Sequence, residues 1–495
     1  MRIVVVGAGL GGLSAACHLA GRGHRVTVVE RGDGPGGRAG RWESEGYEID
    51  TGPSVLTMPD LLALTFAAAG ADMADHLSLA ALDPMYRAWY PDAPPISVRP
   101  GREAMAAEIR DTCGPADAVA FGHFVDWLGR LYRVEQPHFV ERNYNRPADL
   151  ARPLRPALEL VRLGAFRRMA AVVDDYFRDP RLRQLFSFQS LYAGLSPFDA
   201  LAIYCVITYM DTVEGVWFPQ GGIHAVARGL AAAAASAGVD IAYGTPVARI
   251  VRRLGSSGPV TGVRLADGSF LRADAVVANP DVPAVYRELV PSARMPRVAR
   301  RGQYSPSAAL WLAGVRGSLP AGAGHHNIHF GSDWKGSFDA LLRAGTRQPD
   351  PAVLVCAPTV SDPALAPPGG QVIYALEPVP NLDGRIDWAS ERDRFRDTLV
   401  ARLARSGYPV GSGQVVTERF VDPLDWEAQG MERGTPFALS HRFFQTGPWR
   451  PANRDRRVPG LVLVGSGTVP GVSVPMVLVS GRLAADRVDE LAAGR

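Results

Sequence analysis

The chain has 495 residues, 47% hydrophobic and 21% charged, with a net charge of +3. That length allows roughly two to four domains and a sizeable core, and the near-neutral balance makes no case for nucleic acid. Cys17, Cys113, Cys205 and Cys356 stand far apart with no C-x-x-C, which suits separate reduced thiols in a cytosolic protein.

Lys335 is the single lysine, so any lysine-dependent mechanism has one candidate. No run of about 18 uninterrupted apolar residues occurs, so no membrane-crossing helix is expected. The nearest stretch, 200–210, is flanked by Asp199 and Asp211 and reads as a buried helix.

Residues 2–6 are a β-branched run suited to a buried parallel strand. They feed into Gly7-Ala8-Gly9-Leu10-Gly11-Gly12, which fits G-x-G-x-x-G. Apolar residues at helical spacing follow, then a second strand over 25–29 that ends at Glu30. In this context each residue has a task. Gly7 makes the turn, Gly9 lets backbone approach a pyrophosphate, and Gly12 lets helix and strand pack closely. The pyrophosphate sits on free N–H groups of Leu10 and Gly11 at the helix N-terminus. Glu30 accepts the ribose hydroxyls, which favours FAD or NAD over NADP. A secretory signal is the rival reading, but glycines break the apolar run and a charged strand end follows where cleavage would lie.

Arg31 follows the ribose acid, and Gly34-Pro35-Gly36-Gly37-Arg38 forms a second glycine turn where a nicotinamide domain would begin another crossover helix. That turn resembles the phosphate-side turn of the flavoproteins that include amine oxidases and carotenoid desaturases, and points to FAD. A strand over 47–50 leads to Thr51-Gly52-Pro53-Ser54, and a helix with proline at its start is expected over 59–69.

From about 76 to 211 the chain is rich in arginines, aromatics and prolines with helical periodicity. Leu150, Leu154, Leu158, Val161 and Ala165 share one helical face, with Arg152, Arg155, Arg162, Arg167 and Arg168 mostly elsewhere. Such a helix fits a membrane interface, and equally a solvated helix packed on its own domain. A helix over 223–237, strands over 241–251 and a hairpin of 260–265 with 270–278 around Asp267-Gly268 come next. The chain ends in a strand over 460–464, a Gly465-Ser466-Gly467-Thr468 turn and a helix over 476–492.

The expected fold is α/β: a Rossmann-like FAD-binding domain assembled from 1–75, 215–290 and 455–495, with a mixed α+β substrate domain from 76–214 and 291–454. Within the latter, 110–210 is expected to be largely helical and membrane-associating.

Four stretches resemble the bacterial FAD-dependent phytoene desaturases: 4–38; Asp179-Pro180-Arg181-Leu182-Arg183-Gln184 with Phe186-Ser187-Phe188-Gln189-Ser190-Leu191-Tyr192; Gly215-Val216-Trp217-Phe218-Pro219-Gln220-Gly221-Gly222; and 461–485. The resemblance implies non-covalent FAD, a phytoene-like polyene as substrate, oxygen or a quinone as final acceptor, and a cytoplasmic protein resting on the inner face of the membrane. It implies that backbone groups of Val247 touch the adenine end. Gly465 and Gly467 come close to the flavin, and the helix opening at Val474, Pro475 and Met476 faces its N1/C2-carbonyl edge, where reduction places negative charge.

No general base stands out. Asp149 with Arg146, or Arg142, is the candidate polar pair near a substrate tunnel, with solvent-exposed charge the commoner meaning. His325, His326 and His329 lack the spacing and acids of a metal site, and Asp174-Asp175 with Asp179 reads as a solvated helix end. The alternatives are another carotenoid flavoenzyme (isomerase, ketolase or C30 desaturase), an amine oxidase depending on Lys335, and a GDI-like lipid carrier without flavin chemistry.

Overall fold

The computed structural model describes residues 1–150, 152, 154–254 and 257–494. Its first strand, Arg2–Val6, is buried from Ile3 onward because parallel strands flank it on both sides. The five-stranded parallel sheet runs Leu461–Leu463, Ala275–Ala278, Arg2–Val6, Arg25–Val29, Asp240–Ala242. Adjacent strands therefore come from the start, middle and end of the chain. The helix Leu10–Gly21 packs on this sheet and on the C-terminal helix Val474–Ala493. Small residues permit the approach: Gly481 faces Ser14, whose Oγ donates to the Leu478 carbonyl at 2.8 Å.

A second sheet of seven strands runs Val415–Val421, Ser307–Arg316, Gly370–Val379, Val353–Cys356, His326–His329, Tyr86–Tyr90, Ala93–Val98. It is antiparallel except where His326–His329 pairs with Tyr86–Tyr90. Nine of the ten residues of Ser307–Arg316 are buried, since both faces are covered. Ala308, Leu310 and Leu312 face the largest core, and Trp311, Ala313 and Val315 pack with Leu399 and Leu403 of the helix Trp388–Arg405. Helices Arg102–Cys113, Pro115–Glu135, Leu154–Arg162, Met169–Tyr176 and Pro180–Leu185 form the largely helical portion.

Three expected elements differ. The expected strand over 270–278 is two. Phe270–Arg272, alternately exposed, pairs with Ser257–Leu265, whereas fully buried Ala275–Ala278 enters the parallel sheet. Continuous burial marks a central parallel strand and alternation an edge. The expected helix over 150–168 is a 3₁₀ turn Pro147–Leu150 and a helix Leu154–Arg162; Ala151 and Pro153 lie outside the described residues. The stretch 200–210 is buried but irregular: a 3₁₀ turn Ala202–Cys205, one α turn Val206–Thr208 and a π turn Tyr209–Glu214. Its β-branched Ile203, Val206, Ile207 and Thr208 crowd a regular helix.

Glu377, opposite Ala309 on the helix-covered face, is buried. Burial pushes its carboxyl up to about 7, with Arg347 and Arg402 pulling the other way. The folded state then binds an extra proton between the ordinary value and about 7, so this group removes stability as pH rises through that window. Glu377→Gln is expected to melt near the wild type at acid pH and above it at alkaline pH. Thermal melts across that range check the sign.

Candidate functional site

A cavity of about 1590 Å³ opens at the carboxyl ends of the parallel strands, where Val6, Val29, Asn279 and Gly465 line it. This is where open α/β sheets bind ligands. From there the same cavity continues between the seven-stranded sheet and the helical portion, past Leu310, Leu376, Phe330, Ile207 and Met210.

Gly7, Gly9, Leu10 and Gly11 line the sheet end. Gly7 takes φ +99, open to glycine and strained for other residues. A Cβ on Gly9 would stand 2.6 Å from the Asn279 Nδ2, and one on Gly11 2.9 Å from its Oδ1. No side chain caps Gly9 at the helix start, so the first N–H groups face the cavity. Gly12 does not line the cavity; a Cβ there would overlap the Gly7 carbonyl oxygen, so this glycine sets the helix-to-strand distance.

Glu30 lines the cavity and accepts N–H groups from Ala8 at 2.6 Å and Gly32 at 2.9 Å, which aims its carboxylate at the turn. Gly36 donates to the Ala8 carbonyl at 2.9 Å, docking the second glycine turn on the first. Gly37 and Arg38 consequently line the cavity, with Arg38 bonded to Ser466 Oγ. Arg31 lines the rim and donates to the Gln429 carbonyl at 2.7 Å. Val247 lines the same end, beside Thr245, whose N–H donates to the Glu30 carbonyl at 2.7 Å.

Gly52, Pro53 and Ser54 line the cavity further in. Tyr374 Oη holds the Gly52 carbonyl at 2.8 Å, and His326 Nε2 lies 3.0 Å from that of Ser54. Gly465, Val474, Pro475 and Met476 also line it. Gly467 does not; it packs against Val282 and Asp281. The Met476 N–H is capped by Ser473 Oγ at 3.3 Å, so the Val474 N–H is the donor left at that helix start among the described residues. These surroundings fit a flavin dinucleotide: side-chain-free backbone at the pyrophosphate position, an acid beyond it, and a helix N-terminus across the cavity.

Two residues beyond the motifs organise this end. Asn279, just past the strand Ala275–Ala278, lies within reach of Gly7, Gly9, Gly11 and Gly465 at once. Arg450, fully buried, donates to the carbonyls of Ser466 at 2.8 Å, Thr468 at 3.1 Å and Leu439 at 3.1 Å, fixing the Gly465–Thr468 turn. Arg450 follows the 3₁₀ turn Gly447–Trp449, well before the strand Leu461–Leu463, so no local pattern marks it.

Arg146 and Asp149 are not brought into this cavity. They line a separate small pocket with Asn145, Arg152 and Arg456. Asp149 accepts the N–H groups of Asn145 at 2.9 Å and Arg146 at 3.2 Å, so its carboxylate closes a local turn. Lys335 makes an exposed ion pair with Asp339 at 2.6 Å, away from any lysine-at-flavin arrangement. His325 bonds Ser361 Oγ at 2.8 Å and His329 the Tyr408 hydroxyl at 3.0 Å. Asp179 caps the helix Pro180–Leu185, while Asp174 and Asp175 pair with Arg183 and Arg167.

Two buried acids do line the cavity, Asp211 and Glu135. Asp211 Oδ1 accepts from Thr212 Oγ1 at 2.7 Å, with Gln189 Nε2 at 3.5 Å, and Oδ2 has no partner among the described residues. Burial pushes its carboxyl up to about 7. Glu135, whose Oε2 has no partner among the described residues, is pushed well above the carboxylate range by burial alone.

The family model of flavin-containing amine oxidoreductases matches residues 10–489. A phytoene dehydrogenase of Streptomyces griseus is 47% identical over 98% of this chain and 94% of its own length. A zeta-carotene-forming phytoene desaturase of Myxococcus xanthus is 38% identical over 98% and 93%. Among solved structures, an oxidoreductase from Methanosarcina mazei superposes with a TM-score of 0.61 over 99% of this chain and 100% of its own, at 18% identity, a likeness of fold. The chain therefore belongs to the flavin-containing amine oxidoreductase family, in its phytoene desaturase branch, and is an FAD-dependent oxidoreductase.

Proposed function

We infer that the protein desaturates an acyclic carotenoid, phytoene or a close relative, to more conjugated carotenes. The observation that carries this reading is the single cavity joining the glycine cradle to a long apolar channel. Bound FAD supplies the two-electron acceptor for a hydride. The chain's own residues would bind and orient it: the turn of Gly7, Gly9, Leu10 and Gly11 at the pyrophosphate, kept in place by the close packing at Gly12, Glu30 and Arg31 at the ribose, Gly37 and Arg38 at the second turn. Val247 belongs at the adenine, and Gly52, Pro53, Ser54, Gly465, Val474, Pro475 and Met476 around the flavin ring, with Gly467 behind them against Val282. The channel walls hold the polyene straight and dry, so positioning lowers the barrier for an unactivated carbon. The sheet membership supports dividing the chain into an FAD-binding unit of 1–75, 215–290 and 455–495 and a substrate unit of the remainder.

A C40 hydrocarbon is supplied from a bilayer, and the cavity mouth suits one. Leu154, Leu158, Val161 and Phe444 are 66%, 55%, 61% and 71% exposed. Phe443 packs edge-on to Phe166 and tilted against Trp449, with ring centroids 6.2 and 5.3 Å apart, and all three line the mouth. Arg152, Arg155, Arg162, Arg167 and Arg168 are exposed beside them, a composition that seats in an anionic interface. Among the described residues no helix is long and apolar enough to cross a membrane. The reading therefore places the protein on the inner face of the cell membrane, with oxygen or a membrane quinone as final acceptor. Leu158→Asp with Phe444→Asp removes two anchors of about 1.5–3 kcal/mol each. Co-sedimentation with anionic liposomes is expected to fall tenfold or more while FAD content holds, and unchanged partition would refute the seat.

The function is tested by expressing the protein in a host that accumulates phytoene. Coloured carotenes in the extract support the reading; unchanged phytoene beside flavin-loaded protein contradicts it.

A further inference from the structure

We propose that Asp211 is the proton acceptor of the desaturation, a catalytic residue whose free carboxylate oxygen takes the proton from the carbon next to the one that loses hydride. This rests on the carotenoid reading above. Removing hydrogen across a C–C bond takes two different particles. A hydride leaves with its electron pair to the flavin, and a proton leaves the neighbouring carbon, its electron pair becoming the new π bond. The electrons pass to the oxidised flavin and then to oxygen or quinone. The proton needs a base inside an apolar channel, and the cavity walls offer few.

Asp211 has the required chemistry and a place in the channel wall. It sits in the π turn Tyr209–Glu214, a distortion that pushes a side chain out of helical register and recurs at functional sites. It lines the cavity among Met210, Ile207, Phe188 and Tyr192. Oδ1 is held by Thr212 and Gln189, while Oδ2 has no partner among the described residues and lies just under the channel surface, so the carboxylate turns about its last torsion to present it to substrate. The charge that develops on the polyene as hydride departs is positive, so a nearby carboxylate stabilises it before accepting the proton.

The rest of the cavity separates Asp211 from its competitors. Glu135 Oε2 has no hydrogen-bond partner among the described residues, and burial pushes its carboxyl well above the carboxylate range, so it holds its own proton. His441 also lines the cavity, and burial pushes it well below the usual imidazole range, so it is a weak base. The titratable groups facing Asp211 are the phenols of Tyr86 and Tyr192, both raised by burial and neutral. Thr212 and Gln189 supply partial compensation, so the Asp211 carboxyl, at about 7, exchanges its proton near neutral pH, where a base works best. Tyr86 packs 5.4 Å from the His326 ring, which reaches the Ser54 carbonyl, so this polar cluster adjoins the segment assigned to the flavin ring.

The test uses the FAD-loaded full chain with phytoene in liposomes under anaerobic stopped flow. Asp211→Asn keeps the shape and is expected to retain FAD and melting temperature. Flavin bleaching should slow by ~100-fold or more, the usual contribution of a positioned base. Asp211→Glu should recover part of the rate. Wild-type bleaching should accelerate with pH through an apparent pKa near 7, a limb lost in Asp211→Asn and kept in Glu377→Gln, a buried acid outside the cavity. An infrared difference spectrum between oxidised and substrate-reduced protein should show a protonated-carboxyl band that Asp211→Asn lacks.

Bleaching of Asp211→Asn within twofold of wild type, or a wild-type profile flat across neutral pH, overturns the proposal even if the variant folds poorly. A wild type that binds FAD yet bleaches with no carotene overturns the substrate reading instead, and the proposal with it.

Discussion

Gly12→Val is expected to yield protein that has lost FAD, although Gly12 touches no ligand. A Cβ at this position would overlap the carbonyl oxygen of Gly7, which is backbone and has no rotamer to move away. The helix Leu10–Gly21 must then shift off the strand Arg2–Val6, carrying with it the N–H groups that face the cavity. Binding energy at a pyrophosphate falls steeply with such displacement, and about 1.4 kcal/mol already costs a factor of ten in affinity. The same helix packs on Val474–Ala493, so the shift reaches the opposite wall of the flavin site. Gly324→Ala is the contrasting case: a Cβ there meets only Pro84 at 3.7 Å and the His326 carbonyl at 4.0 Å, its backbone needs no positive φ, and it lies outside the cavity lining. Flavin absorbance per mole of purified protein should therefore be near zero for Gly12→Val and unchanged for Gly324→Ala. Equal flavin content in the two would contradict the packing argument.

Arg450→Met is expected to cost the protein several kcal/mol, since buried carbonyls of Ser466, Thr468 and Leu439 lose their donor at ~1–3 kcal/mol each. The guanidinium is 2% exposed and meets carbonyl oxygens of Ser466, Thr468 and Leu439. Burial pulls it down to about 10, so it stays charged at neutral pH and bonds strongly to those oxygens. Methionine fills the space but leaves the carbonyls without donors in the interior. The Gly465–Thr468 turn should loosen, with a large drop in melting temperature and in retained FAD. Arg450→Lys should recover little, since an ammonium cannot reproduce a fork that spans three carbonyls. A lysine variant that melts like the wild type would show that charge alone suffices.

The parts of the fold visible in the sequence are those whose cause is local. The β-branched run Ile3–Val6, the glycine turn, the helix and Glu30 lie within thirty residues, and one βαβ unit explains them all. The second turn could be recognised for the same reason, although its docking through Gly36 and Ala8 could not. What the pattern left hidden depends on approach over long range. Asn279 matters because Ala275–Ala278 inserts beside Arg2–Val6 and brings its amide against three glycines of the first turn and Gly465.

Asp211 read as the polar flank of an apolar helix, because its function depends on a π turn that periodicity does not encode. Asp149 looked like the polar partner in the channel on its position before an amphipathic run; folding spends its carboxylate on the backbone of Asn145 and Arg146. The amphipathic run itself was legible as a pattern. Leu154, Leu158 and Val161 stay exposed on one face of the helix Leu154–Arg162 while Leu160 points inward from the other, and the Gly164 turn takes Ala165 off the exposed face into the core.

The central claim, that the cavity couples carotenoid oxidation to a bound flavin, is tested most directly by anaerobic titration of the FAD-loaded protein with phytoene in liposomes, following flavin absorbance and products together. The account predicts that the oxidised-flavin band bleaches while more conjugated carotenes appear, one new double bond for each flavin reduced. Geometrically isomerised carotene beside a flavin that stays oxidised would contradict it.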